Sequence, residues 1–211
     1  MKGMLKRLLS VLFLTIFFNQ AFSLESAYER VRYLEPNKND VVVGRVDAPI
    51  EIVEYFSLTC FHCATFHEKQ YPLIKKKYID TGKVKWIQRS FVTDERALKA
   101  TLLLECKKSD AQGYEKFLSI LLARQDAWVT GKNYLDILEN MAKLSGMNQL
   151  EVTKCLNDQE TGKKYMQDRI DALKVLKLKG TPAFFVNGDE LENGFEMKAF
   201  EDAIAKKING K

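Results

Sequence analysis

Histidine is the scarcest reactive group in this chain. There are two in 211 residues, and both lie in the stretch SLTCFHCATFHE, residues 57–68. A Cys–His hydrolase pair needs a separate base, and no histidine exists elsewhere to supply one. A structural zinc site needs four converging ligands. Cys60, Cys63, His62 and His67 could be counted, but neighbouring positions on one short helix do not converge tetrahedrally. No metal and no cofactor is therefore expected. No apolar run reaches the roughly 17–25 residues that span a bilayer. Neither sign of charge dominates: 33 basic residues face 28 acidic ones, a net +5. That is too small to argue for nucleic acid, and the lysines read as solvated faces. There are no repeats and no low-complexity tract.

The beginning of the chain sets the compartment. Lys2, Lys6 and Arg7 precede an uncharged apolar run from Leu8 to Phe18, and Ala21 and Ser23 are small residues at cleavage offsets. This is the layout of a signal peptide over residues 1–23, cleaved near Ser23. Without its three basic residues the charge falls from +5 to about +2. Residues 24–211 are enough for one domain with an insertion. Export would place the four cysteines where disulfides persist, and four cysteines allow three pairings.

Residues 24–40 read as a loosely held lead-in. Residues 40–44 read as a short strand, and 50–57 as a central buried strand with Glu54 out of place in its middle. Thr59 is a plausible N-cap, which puts Cys60 first in a helix running toward Tyr78. Pro72 predicts a kink near Gln70 and Tyr71. Residues 83–92 form a second clear strand. From Asp94 the apolar spacing becomes helical, with loop signals at Ser109-Asp110, Trp128 to Lys132 and Ser145-Gly146. A longer helix is predicted from about Asp158 to Leu176. Ala183 to Val186 reads as a buried strand and Asn187-Gly188 as a hairpin turn with a weak return strand. A last amphipathic helix follows Phe195, with Phe200, Ile204 and Ile208 on one stripe. The fold class is α/β: a βαβ unit and a ββα unit, the thioredoxin fold, with an all-helical insertion at about 94–157.

A Cys-x-x-Cys pair at a helix start has a defined chemistry. The thiolate is the reacting species, and a helix N-terminus stabilises it. Cys60 would be the attacking or attacked sulfur and the more shielded Cys63 the resolving one. His62, between them, could stabilise the Cys60 thiolate; a unit charge at ~4 Å is worth about 4 kcal/mol at an effective dielectric near 20. Stabilising the thiolate stabilises the reduced protein, which makes the disulfide a donor. A merely structural disulfide at 60–63 would close too small a loop to stabilise much. His67 reads as a helix-surface residue outside this chemistry. Cys106 and Cys155 read most simply as a structural disulfide; free thiols or a second redox pair are the alternatives. Pro182 opens a buried strand, where a proline cannot donate to the ladder, and either a cis turn or an ordinary edge proline would explain it.

IEIVEYFSLTCFHC followed by GTPAFFVNG resembles the DsbA family of thioredoxin-fold thiol–disulfide oxidoreductases, from about Asp40 to the chain end. The resemblance implies that Pro182 is a cis-proline beside Cys60 and that Thr181 contacts bound peptide. It implies that Glu54 is a buried acid serving proton transfer at Cys63; a strand-edge Glu reaching solvent is the alternative. It also relates Cys106 and Cys155 to the second, non-catalytic disulfide of alpha-proteobacterial members. Phe61-His62 replaces the family's best-known Pro-His dipeptide. With Thr181 before the proline, that should moderate the oxidising power. The function implied is that of a periplasmic dithiol oxidase acting on reduced exported proteins and reoxidised by a DsbB-type membrane partner. A monomer is expected. The alternatives are a disulfide isomerase, whose usual N-terminal dimerisation domain has little room here, and a non-catalytic secreted peptide-binding module.

Overall fold

The computed structural model describes residues 28–37 and 40–209; the expected signal peptide lies outside the described residues. The chain divides into two compact units at Glu35 and Pro36. In the first, residues 28–34 form a helix, α1, where the sequence predicts only a loose lead-in. Everything below concerns the second.

Its frame is a five-stranded mixed sheet in the order β1-β3-β2-β4-β5. β2 (Ile50–Phe56) is central, as its apolar residues on both faces require. It pairs parallel with β3 (Val84–Ser90) and antiparallel with β4 (Ala183–Val186). β1 (Val41–Val43) closes one edge against β3, where the Arg89 guanidinium forks onto both oxygens of Asp40 at 2.9 and 2.7 Å. The return strand β5 (Asp189–Glu190) has only two residues. Its turn is the predicted Asn187-Gly188, with φ of 48° and 86°, the two positive angles a tight hairpin demands. Asn187 also accepts from the Glu51 backbone N–H at 2.7 Å, tying the turn to the central strand.

α2 (Phe61–Lys69) follows β2 and ends at Gln70, where Pro72 cannot continue the hydrogen-bond ladder. A short α3 (Tyr71–Ile74) and a π-helical turn (Lys75–Ile79) complete the predicted kinked segment. Between β3 and β4 lie α4 (Glu95–Glu105), α5 (Ala111–Ala123), α6 (Gln125–Val129), α7 (Tyr134–Leu144), α8 (Gln149–Leu156) and α9 (Gln159–Val175). Side chains of Asp94, Asn148 and Asp158 cap α4, α8 and α9 by accepting from backbone N–H groups. The sequence predicts a loop from Trp128 to Lys132. Instead α6 runs to Val129, because Trp128 is fully buried and its indole N–H donates to the Leu121 carbonyl at 2.9 Å. The last helix, α10 (Met197–Asn209), buries Phe200 and Ile204 but leaves Ile208 about half exposed, so the predicted stripe ends one turn early.

One apolar cluster packs Phe66 of α2 with Ile50, Ile52, Trp86, Phe184 and Phe200. A second packs Phe56, Leu58 and Cys63 with the helical block and reaches Cys155. α2 therefore lies between two cores, which fixes where its first turn presents its sulfurs. Among the described residues, no helix is long and apolar enough to cross a membrane.

Candidate active site

The site begins where β2 ends. Ser57 Oγ and Thr93 Oγ1 lie 2.7 Å apart, and the Thr59 hydroxyl donates to Asp94 Oδ2 at 2.6 Å. Thr59 is thus held by the start of α4 and does not cap α2, contrary to the sequence-based expectation. Cys60 is itself the N-cap, with extended φ and ψ of −83° and 116°. The difference matters chemically, because an N-cap side chain sits where the free N–H groups of the next residues point. Gln125, at the start of α6, clamps the loop from the other side. Its amide donates to the carbonyls of Leu58 and Cys60 at 2.7 and 3.1 Å.

Cys60 is half-buried and reduced, as is the fully buried Cys63. The Cys60 thiol is pulled down to about 5, first by a hydrogen bond from Cys63 and then, against desolvation, by the Thr181 hydroxyl. The Cys63 and His62 backbone N–H groups contribute in the same direction, although no capping hydrogen bond is formed. Cys63 is pushed far up, by burial first and by the neighbouring Cys60 second. Its Sγ accepts from the Ser57 backbone N–H at 3.4 Å. One sulfur is thus a thiolate at neutral pH and the other a thiol, with the proton shared toward the outer sulfur.

The Thr181–Pro182 peptide bond is cis, and Cys60 Sγ lies 3.1 Å from the Thr181 carbonyl oxygen. The fold thus brings together Cys60, Cys63, Thr181 and Pro182 across 121 residues of sequence. The His62 imidazole stands on the open side of the site. It is exposed and packs edge-on against Phe195, ring centres 5.4 Å apart, with Phe61 at 6.1 Å. What His62 gives Cys60 is its backbone N–H. Phe61 is 64% exposed and Phe195 50%, so two aromatic rings stand open around His62.

Glu54 is fully buried, so the strand-edge alternative is excluded. Its two carboxylate oxygens accept from Trp86 Nε1 at 3.0 Å and meet His67 Nε2 at 2.8 Å. The negative charge on Glu54 also raises Cys63. His67 corrects a sequence-based expectation: it is a buried partner of Glu54, not a surface residue. It sits one turn after Cys63 and so shares that residue's inward face. Gln88, in register with Glu54, is buried, and neither of its amide atoms is hydrogen-bonded among the described residues.

Cys106 and Cys155 are joined by a disulfide, Cα atoms 6.3 Å apart, linking the end of α4 to α8. Among the described residues, no group of three or more His, Cys, Asp or Glu could hold a metal ion.

The family model described as Thioredoxin matches residues 36–206. A Rickettsia bellii protein, provisionally named a protein-disulfide oxidoreductase, is 37% identical over 172 residues, covering 82% of this chain and 66% of that protein. The chain thus spans slightly less than two thirds of that relative. Disulfide bond formation protein D of Bacillus subtilis is 27% identical over 82% of this chain and 79% of its own length. Among solved structures, alpha-DsbA1 of Wolbachia pipientis superposes with a TM-score of 0.79 at 34% identity, covering 85% of this chain and 96% of that one. Oxidised BdbD of Bacillus subtilis shares the fold, with a TM-score of 0.72 at 24% identity over 82% of this chain and 95% of that one.

Proposed function

Because the chain belongs to the thioredoxin family, among its DsbA-type protein-disulfide oxidoreductases, we propose that it is a dithiol oxidase of exported proteins. The observation that carries this is the split between the two sulfurs, Cys60 held at about 5 and Cys63 held far above the ordinary thiol range. A stabilised thiolate stabilises the dithiol form, and a protein whose dithiol form is stabilised gives its disulfide away.

The reaction follows from that asymmetry. A substrate thiolate attacks Cys60 Sγ; the Cys60–Cys63 bond breaks and its electron pair goes to Cys63 Sγ, which takes a proton. A second substrate thiolate then attacks the substrate sulfur of the mixed disulfide, and Cys60 leaves as a thiolate. The substrate loses two electrons and two protons, of which one rests on Cys63 and one reaches solvent. Thr181 and Pro182 hold the substrate backbone beside Cys60, and Phe61 and Phe195 supply apolar contact for an unfolded chain. Turnover then needs a disulfide donor, a membrane partner of the DsbB type, and the place of work is the periplasm after removal of residues 1–23.

The direct test offers the purified protein reduced and scrambled ribonuclease in parallel, with absorbance at 240 nm following the Cys60 thiolate. We expect oxidation of the reduced substrate and a titration midpoint near pH 5. Repair of both substrates would mean isomerase activity as well. A midpoint near 8.5, that of an ordinary thiol, would remove the basis for the oxidase reading.

The pH dependence of the reduction potential follows from the same split. Below pH 5 reduction takes up two protons, and above it only one, because Cys60 stays ionised. The potential should fall by about 59 mV per pH unit on the acid side and about 30 mV on the neutral side. A single slope of about 59 mV through pH 7, measured by equilibration with glutathione, would show that Cys60 is protonated in the dithiol.

A further inference from the structure

His67 is a buried titratable group that the chemistry above leaves unused, and its surroundings assign it work. When Cys63 leaves as a thiolate it is fully buried, and a charge there is costly. Glu54 is the acid near enough to raise Cys63 by its charge, yet it too has no exposure to solvent. Among the described residues, its side chain has two hydrogen-bond partners. The Trp86 indole can only donate, so it cannot carry a proton in or out. The His67 imidazole can both give and take one at 2.8 Å.

The far side of His67 leads outward. His67 lines a cleft between α2 and the α5–α6 region, with Glu68, Ser119 and Asp126 also on the wall. Tyr71 stacks on it at 4.8 Å, and the Tyr71 hydroxyl donates to Glu115 at 2.7 Å, which locks the ring between Glu54 and the cleft. The polar groups around the Glu54–His67 pair include Cys63 from α2, Gln88 and Trp86 from β3, and Tyr71 from α3. The remaining ring contacts are the phenyl rings of Phe56 and Phe66.

We propose that His67 is a positioning residue that relays protons between Glu54 and the solvent cleft, so that Cys63 is protonated as the Cys60–Cys63 bond opens. Glu54 takes a proton from His67 Nε2 and hands it to Cys63 Sγ, and His67 regains one from cleft water at its other ring nitrogen. When the protein is reoxidised, the proton of Cys63 leaves by the reverse route. This rests on the dithiol-oxidase reading and on Glu54 as the proton donor.

The test mixes the oxidised full-length protein with dithiothreitol and follows the Cys60 thiolate at 240 nm, for wild type, Glu54→Gln and His67→Gln. Glutamine at 67 keeps a donor toward Glu54 but carries no proton. Both variants should form thiolate about tenfold or more slowly at pH 7, in line with the loss of a positioned proton donor. Imidazole in the buffer should recover part of the rate of His67→Gln and none of that of Glu54→Gln. A wild-type rate in His67→Gln with a slow Glu54→Gln would overturn the relay and leave the oxidase reading intact. Wild-type rates in both would overturn the relay and the role of Glu54 together. Failure of the wild type to be reduced at all would instead sink the oxidase reading. Should His67→Gln not fold, the wild-type rate at matched pD in D2O decides: a drop of about twofold or more is expected, and an unchanged rate counts against the relay.

Discussion

Cys60→Ser should abolish disulfide transfer, and Cys63→Ser should trap it halfway. The two sulfurs differ in access and in charge. Cys60 is half-buried and is a thiolate at neutral pH. Cys63 is fully buried, with the Ser57 N–H on its sulfur. A partner sulfur can therefore reach only Cys60. Serine there leaves an alcohol that is not ionised at pH 7 and cannot be reduced or oxidised in exchange. Turnover with a reduced substrate should fall to the uncatalysed level. With serine at 63, Cys60 still attacks a disulfide peptide, forming one S–S bond and expelling one peptide thiolate, but nothing resolves the adduct. Mass spectrometry of the intact protein should find one peptide per chain. Its attachment to Cys63 in a Cys60→Ser background, or turnover by that variant, would mean that the roles are assigned backwards.

Much of this site is visible in the sequence, and what is not visible has physical causes. The central strand, the kink at Pro72 and the Asn187-Gly188 hairpin follow from local chemistry: apolar residues on both faces, a missing N–H, two positive φ angles. The resemblance supplies the cis-proline, which local chemistry leaves open. The N-cap is misplaced by one residue because Thr59 is an equally good cap by type. Its hydroxyl is instead taken by Asp94, 35 residues away, a competition that local pattern does not contain. Gln125 fails to stand out for the same reason: a glutamine opening a five-residue helix carries no signal until the Leu58 and Cys60 carbonyls are seen above it. His67 is different, because a signal was present. Once Cys63 is taken as shielded, the residue four positions later shares its face, and a lone carboxylate in a central strand needs a partner. Reading Glu54 and His67 separately makes one an anomaly and the other a surface residue. Together they are one buried pair.

The Cys106–Cys155 bond offers the clearest separation of stability from chemistry. It closes a loop across 49 residues of separation and ties α4 to α8. Loop entropy alone puts its contribution at about 4 kcal/mol, an effect larger than most single substitutions produce. Cys106→Ala/Cys155→Ala should lower the urea midpoint of the whole domain by a corresponding amount. The site should change far less. Cys155 and Cys63 do belong to one apolar cluster, so a path of packed side chains connects them. But what holds Cys60 low is Cys63, the Thr181 hydroxyl and two backbone N–H groups, and none of these belongs to α4 or α8. The 240 nm midpoint should therefore stay near pH 5 and turnover should persist at temperatures where the variant is folded. Loss of redox activity with the urea midpoint unchanged would show the opposite: that this second disulfide takes part in electron transfer and is not there to hold the helical block together.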